Sequence, residues 1–288
     1  MLARGRKKML DTKISVIIPA FKAEKTIIET VTSVMNQTIK PLEVIIVDDC
    51  SPDRSGLLAS GLGAKWVRNS KNYGIGFSRQ RGDFESNGEF IAYLSADDVW
   101  KLNFLEECVP FLDKNTATFT DYFYFTDDQN DSSGIFQAPM YKTQEEFRRL
   151  VIDWALRKNM FVNFSSVIVP KQIFGKVQFE SSLRHGEDLI FLLDTVLAGL
   201  EWVHIPKPLI GYRVHSKMGS EQIKSNKDEF LQLWSFIRSR MAKMGVDEDT
   251  VEACFRRSYS RCFGLKAKLY KHLPRHIRWT VKKAKRLI

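Results

Sequence analysis

The 288-residue chain is 44% hydrophobic and 27% charged, with a formal net charge of +10. That is the composition of a globular protein with a sizeable core, enough for one large domain with or without a helical appendage. The cations crowd the ends: residues 255–288 hold twelve Lys or Arg and no Asp or Glu, and Arg4, Arg6, Lys7 and Lys8 open the chain. The body between them is net acidic, which argues against a nucleic-acid-binding core.

Cys50, Cys108, Cys254 and Cys262 form no C-x-x-C pair and have no histidines at zinc spacing, so neither a disulfide framework nor a structural zinc is expected. A reducing, cytoplasmic setting follows. No apolar run approaches the roughly 20 residues that span a bilayer, and the basic start lacks an apolar signal core.

Residues 13–19 are an uninterrupted β-branched run closed by Pro19, as in a buried parallel strand. Ile27, Ile28, Val31, Val34 and Met35 then recur at helical spacing, and residues 43–49 repeat the strand pattern, ending in Asp48 and Asp49. Strand, helix and strand of this kind make a right-handed βαβ unit. Residues 51–53 turn into a short helix, residues 64–68 give a third strand, and Gly74-x-Gly76 leads into another helix. The glycines do not directly follow the first strand, so a dinucleotide fingerprint is disfavoured.

Residues 89–94 form the next strand, which ends in Asp97 and Asp98. Adjacent carboxylates raise each other's pKa unless a cation or hydrogen-bond donors intervene, which points to a divalent metal; helix capping is the plainer reading of the pair alone. Two acidic strand ends, Asp48/Asp49 and Asp97/Asp98, fit the carboxyl edge of an open α/β sheet, where ligands bind. Further on, helices are expected over 103–112, 144–158 and 187–200. Strands are expected over 117–125, 163–170, 202–205 and 209–214, with helices from residue 221 to the end broken near Gly245. No internal repeat or low-complexity stretch is present.

Taken in order, these landmarks resemble the family 2 glycosyltransferases. The residues that carry the resemblance are the strand ending in Pro19-Ala20-Phe21, residues 43–53, Asn72-Tyr73-Gly74 with Arg79, residues 94–100, Glu187-Asp188 and Arg213-x-His215. The resemblance implies a GT-A fold, a Rossmann-like mixed α/β sheet flanked by helices. That domain would span residues 13–220, between a basic arm at 1–12 and a helical basic region at 221–288. It implies a nucleoside diphosphate sugar donor, UDP-linked, and a bound Mg²⁺ or Mn²⁺ that bridges the diphosphate to the acidic strand ends. Asp97 would be the metal ligand, Asp98 a second or water-mediated one, and His215 a third.

By the same resemblance, Asp49 receives the uracil or ribose, helped by Asp48 and by Pro19, Ala20 and Phe21. Asn72, Arg79, Ser95, Ala96 and Arg213 line the donor pocket, and Asp188 is the general base of an inverting transfer. The family usually has an aspartate where this chain has Ser95. Glycan or lipid-linked glycan acceptors, in lipopolysaccharide or capsule synthesis, are the expected partners. Residues 274–288 can wind as a helix with a narrow apolar stripe of Ile277, Val281, Ala284 and Ile288 and cations around the rest, which suits an anionic membrane surface on the inner face of the cell membrane. Two alternatives remain on sequence alone: a nucleotidyltransferase, which should carry a Gly-rich, basic loop right after the first strand where this chain has Pro19-Ala20-Phe21-Lys22, and a non-catalytic glycan-binding or scaffolding relative, which the residue at Ser95 motivates.

Overall fold

The computed structural model describes residues 12–127, 134–157, 160–214 and 226–263. The amino-terminal half alternates strands and helices: β1 (Ile14–Ala20), α1 (Ile27–Met35), β2 (Glu43–Asp48), α2 (Ser55–Ser60), β3 (Lys65–Arg68), α3 (Ile75–Glu85) and β4 (Phe90–Tyr93). Every residue of β1 is buried, as an apolar run sandwiched between two helical layers requires. β1 pairs in parallel with β2 and with β4, and β2 with β3. Four carboxyl ends therefore open on one edge.

The chain continues through β5 (Val99–Trp100), α4 (Phe104–Cys108), β6 (Thr116–Phe125), β7 (Ile135–Phe136), α5 (Gln144–Leu156), β8 (Ile168–Pro170), α6 (Glu187–Leu197), β9 (Glu201–Arg213), α7 (Lys227–Lys243) and α8 (Glu248–Phe263). Among the described residues the sheet has nine strands in the order β3-β2-β1-β4-β8-β6-β9-β5, with β7 on β6. β8 runs antiparallel to β4 and β6, so the sheet is mixed.

Three expectations change. The two strands at 202–205 and 209–214 are one strand, β9, which bears Pro206 and Pro208; a register shift between Thr120 and Tyr122 of β6 absorbs prolines that cannot donate to the ladder. The stretch 163–170 is split into a 3-10 turn, Phe164–Ser166, and the short β8, because the Asn163 side chain accepts the Ser165 N–H and bends the chain. After Asp97 and Asp98 comes not a helix but β5, which turns back antiparallel to β9.

The alternation of the strands divides the core. Ile17, Ile45, Val47, Ile91 and Tyr93 join one cluster with residues of α5, α6 and α7; Val16, Ile18, Val44, Ile46 and Ala92 join the other with residues of α1 and α4. Helix α7 begins at Asn226, whose side chain accepts from the Asp228 and Glu229 N–H groups, and buries Phe230, Leu233, Trp234, Ile237 and Met241 on one face. No helix among the described residues is long and apolar enough to cross a membrane. Residues 1–11 of the basic arm, His215, and the basic segment 274–288 lie outside the described residues.

Candidate active site

The loops at the carboxyl edge are tied together by short polar side chains. After Pro19 and Ala20, Phe21 is 45% exposed, and Lys22 takes a positive φ of 56° while donating its N–H to Ser51 Oγ at 3.2 Å. Asp49 is buried, and both its oxygens are engaged: Oδ1 accepts from Asn69 Nδ2 at 2.8 Å and Tyr73 N–H at 2.9 Å, Oδ2 from Gly74 N–H at 2.8 Å. It holds the Asn72-Tyr73-Gly74 loop, and Gly74 sits there at φ 96°. Asp48 differs. Its Oδ1 accepts the Ser51 N–H at 2.8 Å, while the buried Oδ2 accepts no hydrogen bond and lies 3.6 Å from Arg68 Nη1.

The end of β4 is pinned from α1. Thr26 Oγ1 donates to the Ala96 carbonyl at 2.7 Å and Thr30 Oγ1 to the Asp98 carbonyl at 2.8 Å. Asp97 is half-buried at this turn, whereas Asp98 is 1% exposed. The Asp98 carboxylate accepts from Ser165 Oγ and, at 3.0 Å, from the Arg213 N–H. Burial above all, with the Asp97 charge next to it, pushes Asp98 up to about 8. Ser95 donates its N–H to the same Ser165 hydroxyl at 3.1 Å. The buried Ser165 thus joins Ser95 and Asp98.

Arg213, at the end of β9, donates Nε to the Asp97 carbonyl at 2.8 Å, pairs with Glu29 and Asp127, and lies over the Phe125 ring at 4.4 Å from its centroid. Among the described residues it is a cation already met by two carboxylates, both on exposed side chains.

Asp188 opens α6 behind Gly186, which takes a left-handed φ of 84°. A Cβ at Gly186 would lie 2.9 Å from the Leu233 methyls, so glycine is required twice over. The neighbouring Glu187 is buried and forms an ion pair of 2.6 Å with Arg79 Nη1 of α3. The guanidinium of Arg79 is enclosed by the rings of Phe164, Phe179 and Tyr93, at 4.9, 5.4 and 5.9 Å from their centroids. Burial, then the charge of Asp188, pushes Glu187 upward, and Arg79 pulls it back. From Asp188 a chain of contacts runs through Glu187, Arg79 and Phe164 to Ser165 and Asp98.

The edge therefore gathers Pro19, Ala20, Phe21, Asp48, Asp49, Asn72, Ser95, Ala96, Asp97, Asp98 and Arg213. Arg79, expected in the donor pocket, points instead into the core and holds Glu187. Asn72 accepts from Arg184 Nη1 at 2.6 Å, which links the Asn72-Tyr73-Gly74 loop to the approach to α6. His185, just before Gly186, pairs with Glu229 Oε2 at 3.1 Å. Ser165, Glu29 and Asp127 were not singled out from sequence. They are ordinary polar residues in strings without a motif, and only the fold brings them to the acidic turn.

The carboxyl edge of such an α/β sheet is where proteins of this architecture bind their ligands. Residues 15–167, more than half of the chain, match the family described as Glycosyl transferase family 2, and the chain belongs to that family. Among curated relatives it is 26% identical over 238 residues to the amylovoran biosynthesis glycosyltransferase AmsB of Erwinia amylovora, covering 78% of this chain and 77% of that one. It is 27% identical over 244 residues to the UDP-Glc:alpha-D-GlcNAc-diphosphoundecaprenol beta-1,3-glucosyltransferase WfgD of Escherichia coli, covering 82% and 91%. S. aureus TarS 1-349, solved in complex with UDP-GlcNAc, superposes with a TM-score of 0.66 at 16% identity over 92% of this chain and 77% of that one. The fold is GT-A.

Proposed function

We propose that this glycosyltransferase moves a sugar from a UDP-linked donor to a hydroxyl of a glycan or lipid-linked glycan, with inversion, in the synthesis of a surface polysaccharide such as lipopolysaccharide or capsule. The observation that carries this reading is the gathering at one sheet edge of Asp48, Asp49, Asp97 and Asp98, joined to Asp188 through the Arg79–Glu187 pair. The names of AmsB, WfgD and TarS, with the polysaccharide, UDP-Glc and UDP-GlcNAc they mention, support it.

The residues divide the work. Asp48 Oδ2, buried and accepting no hydrogen bond, suits an N–H of the donor base; Asp49 shapes the loop that lies beside it. No group of three or more His, Cys, Asp and Glu that could hold a metal occurs among the described residues. A Mg²⁺ site commonly uses one or two carboxylates and substrate phosphates, and Asp97 at the turn fits such a half-made site. Asp98, with its oxygens on Ser165 and Arg213, would act behind Asp97, and His215 is the further candidate ligand. When bound, the cation would stabilise the leaving diphosphate as a Lewis acid.

Arg213 would exchange a carboxylate partner for a donor phosphate, as a guanidinium readily does. Asp188 would take the proton of the acceptor hydroxyl as it attacks the anomeric carbon from the face opposite the diphosphate, which gives inversion.

Calorimetry with UDP and Mn²⁺ tests the donor half. Binding should need the metal and vanish in Asp97→Ala; metal-independent binding would remove the cation from the mechanism, and no binding by the unaltered chain would favour a non-catalytic glycan binder. Asp188→Asn should keep UDP binding and lose transfer by about three orders of magnitude or more, the range that general-base catalysis and orientation together supply. An active Asp188→Asn enzyme refutes the base.

A further inference from the structure

β6, β7 and β9 carry a row of aromatic side chains on one face. The register sets Tyr122 opposite Phe136 of β7 and Ile210 of β9, and Tyr124 opposite Tyr212. Residues two apart on a strand share a face, so Tyr122, Tyr124, Phe136 and Tyr212 stand together. Their rings touch: Tyr122 stacks on Phe136 at 4.7 Å, meets Tyr212 at 5.6 Å and Tyr124 at 5.3 Å, and Tyr124 meets Tyr212 at 6.0 Å. The intervening residues Phe123, Phe125, Gly211 and Arg213 occupy the other face, where Arg213 pairs with Glu29 and Asp127.

Tyr122 and Phe136 rest on the core clusters with part of their surface, and three features show that the row is more than core. All four aromatic residues are only half-buried, unlike Phe119 and Trp202 further down the same strands. Three of them carry hydroxyls that a core would not need, and the Tyr122 and Tyr124 hydroxyls meet only at 3.4 Å, a weak bond. Tyr212 also adjoins Arg213, whose backbone N–H and Nε are bonded to Asp98 and to the Asp97 carbonyl. The row therefore borders the acidic turn, on the β9 side. The Tyr212 phenol is pushed up by burial first and then by the charges around the acidic turn.

We propose that Tyr122, Tyr124 and Tyr212, backed by Phe136, form the acceptor subsite, a platform that takes the apolar face of an uncharged pyranose ring beside the turn at Asp97 and Asp98. This rests on the proposed glycosyl transfer. Aromatic faces hold the C–H face of a sugar by dispersion and exclusion of water, and phenol hydroxyls at the rim reach its polar edge. The surrounding charge chooses among sugars. Asp97 and Asp188 make the neighbourhood negative, and the Arg213 side chain lies on the opposite face of β9, so a uronate or phosphorylated ring would be repelled where a neutral one is not.

Saturation-transfer NMR, with UDP and Mg²⁺ present, tests this using methyl glucoside, methyl N-acetylglucosaminide and methyl glucuronide as probes. The neutral glycosides should show saturation of their ring C–H protons, with the glucuronide bound at least about tenfold more weakly. Tyr212→Leu and Tyr124→Leu should each weaken the neutral sugars about tenfold, and Tyr212→Phe much less, because the ring and not the hydroxyl bears the contact. UDP titration of each variant shows that the donor half is intact. A second measurement needs no variant: replacing Mg²⁺ by Mn²⁺ should broaden the bound sugar's resonances, since the platform borders Asp97. Undiminished sugar binding in the Leu variants, equal binding of the glucuronide, unbroadened resonances, or no sugar binding by a chain that still binds UDP would overturn the platform. A chain that binds no UDP overturns the glycosyl-transfer reading itself.

Discussion

At the scale of single residues, two buried carboxyls show how strongly the interior resists charge. Asp98 is supplied with donors by Ser165 and Arg213. Asp83 has less: Tyr93 Oη donates to its Oδ1 at 2.6 Å, and its Oδ2 has no partner. Desolvation pushes Asp83 up to about 8, against the smaller pull of Tyr93, Arg79 and Lys171. The ordinary carboxyl value is about 4, so the folded chain holds a proton between about pH 4 and pH 8 that the unfolded chain has released. Stability therefore falls as pH rises through that window. Asp83→Asn removes this cost while keeping an acceptor for Tyr93. The variant should melt at a higher temperature than the unaltered chain at pH 8.5, with the gap closing towards pH 5; a gap that does not change with pH would show that Asp83 is ionised throughout.

At the scale of elements, the start of α6 is fixed from two sides. Gly186 fits against Leu233 of α7, and Glu187 reaches Arg79 of α3 inside three aromatic rings. The two partners are unequal. Arg79 cannot shed its charge, whereas Glu187 is already pushed towards its neutral form. Glu187→Leu should then cost about 3–5 kcal/mol, the usual penalty for stranding a buried charge, and Arg79→Met clearly less. The double variant should recover most of the loss, since an apolar pair of similar volume is often neutral. Urea unfolding of the three proteins measures this, and equal losses for the two single variants would refute the asymmetry. Because Asp188 follows Glu187 directly, Glu187→Leu should also lower kcat with little change in donor KM.

At the scale of the whole molecule, the carboxyl edge is built by the parallel half of the sheet and closed by the second half, β6 and β9 bringing Arg213 and the tyrosines to the turn at Asp97. The body is net acidic and the terminal segments basic. We propose that residues 274–288 attach the enzyme to an anionic membrane surface, where lipid-linked acceptors are found; each nearby cation contributes about 1 kcal/mol. Deleting residues 271–288 should abolish sedimentation with anionic liposomes and leave UDP binding intact. Cosedimentation that survives the deletion would place the attachment elsewhere or dismiss it.

Local pattern was enough for much of this. Apolar runs ending in carboxylates announce parallel strands with an acidic edge, since a strand buried on both faces must be apolar throughout and its end is where charge can emerge. Helical spacing likewise announces α1, α6 and α7, and the order of Asp48/Asp49, Asn72 to Gly74, Asp97/Asp98 and Glu187-Asp188 carries the family resemblance. Tertiary structure alone decided which way each polar side chain turns. Arg79 and Asp98 face inward because Glu187, Ser165 and Arg213 arrive from elements about 70 to 115 residues away to satisfy them, and no local pattern encodes that arrival. The tyrosine row is of the same kind: alternation within β6 says that Tyr122 and Tyr124 share a face, but only the pairing with β7 and β9 adds Phe136 and Tyr212 and sets the row beside the carboxylates.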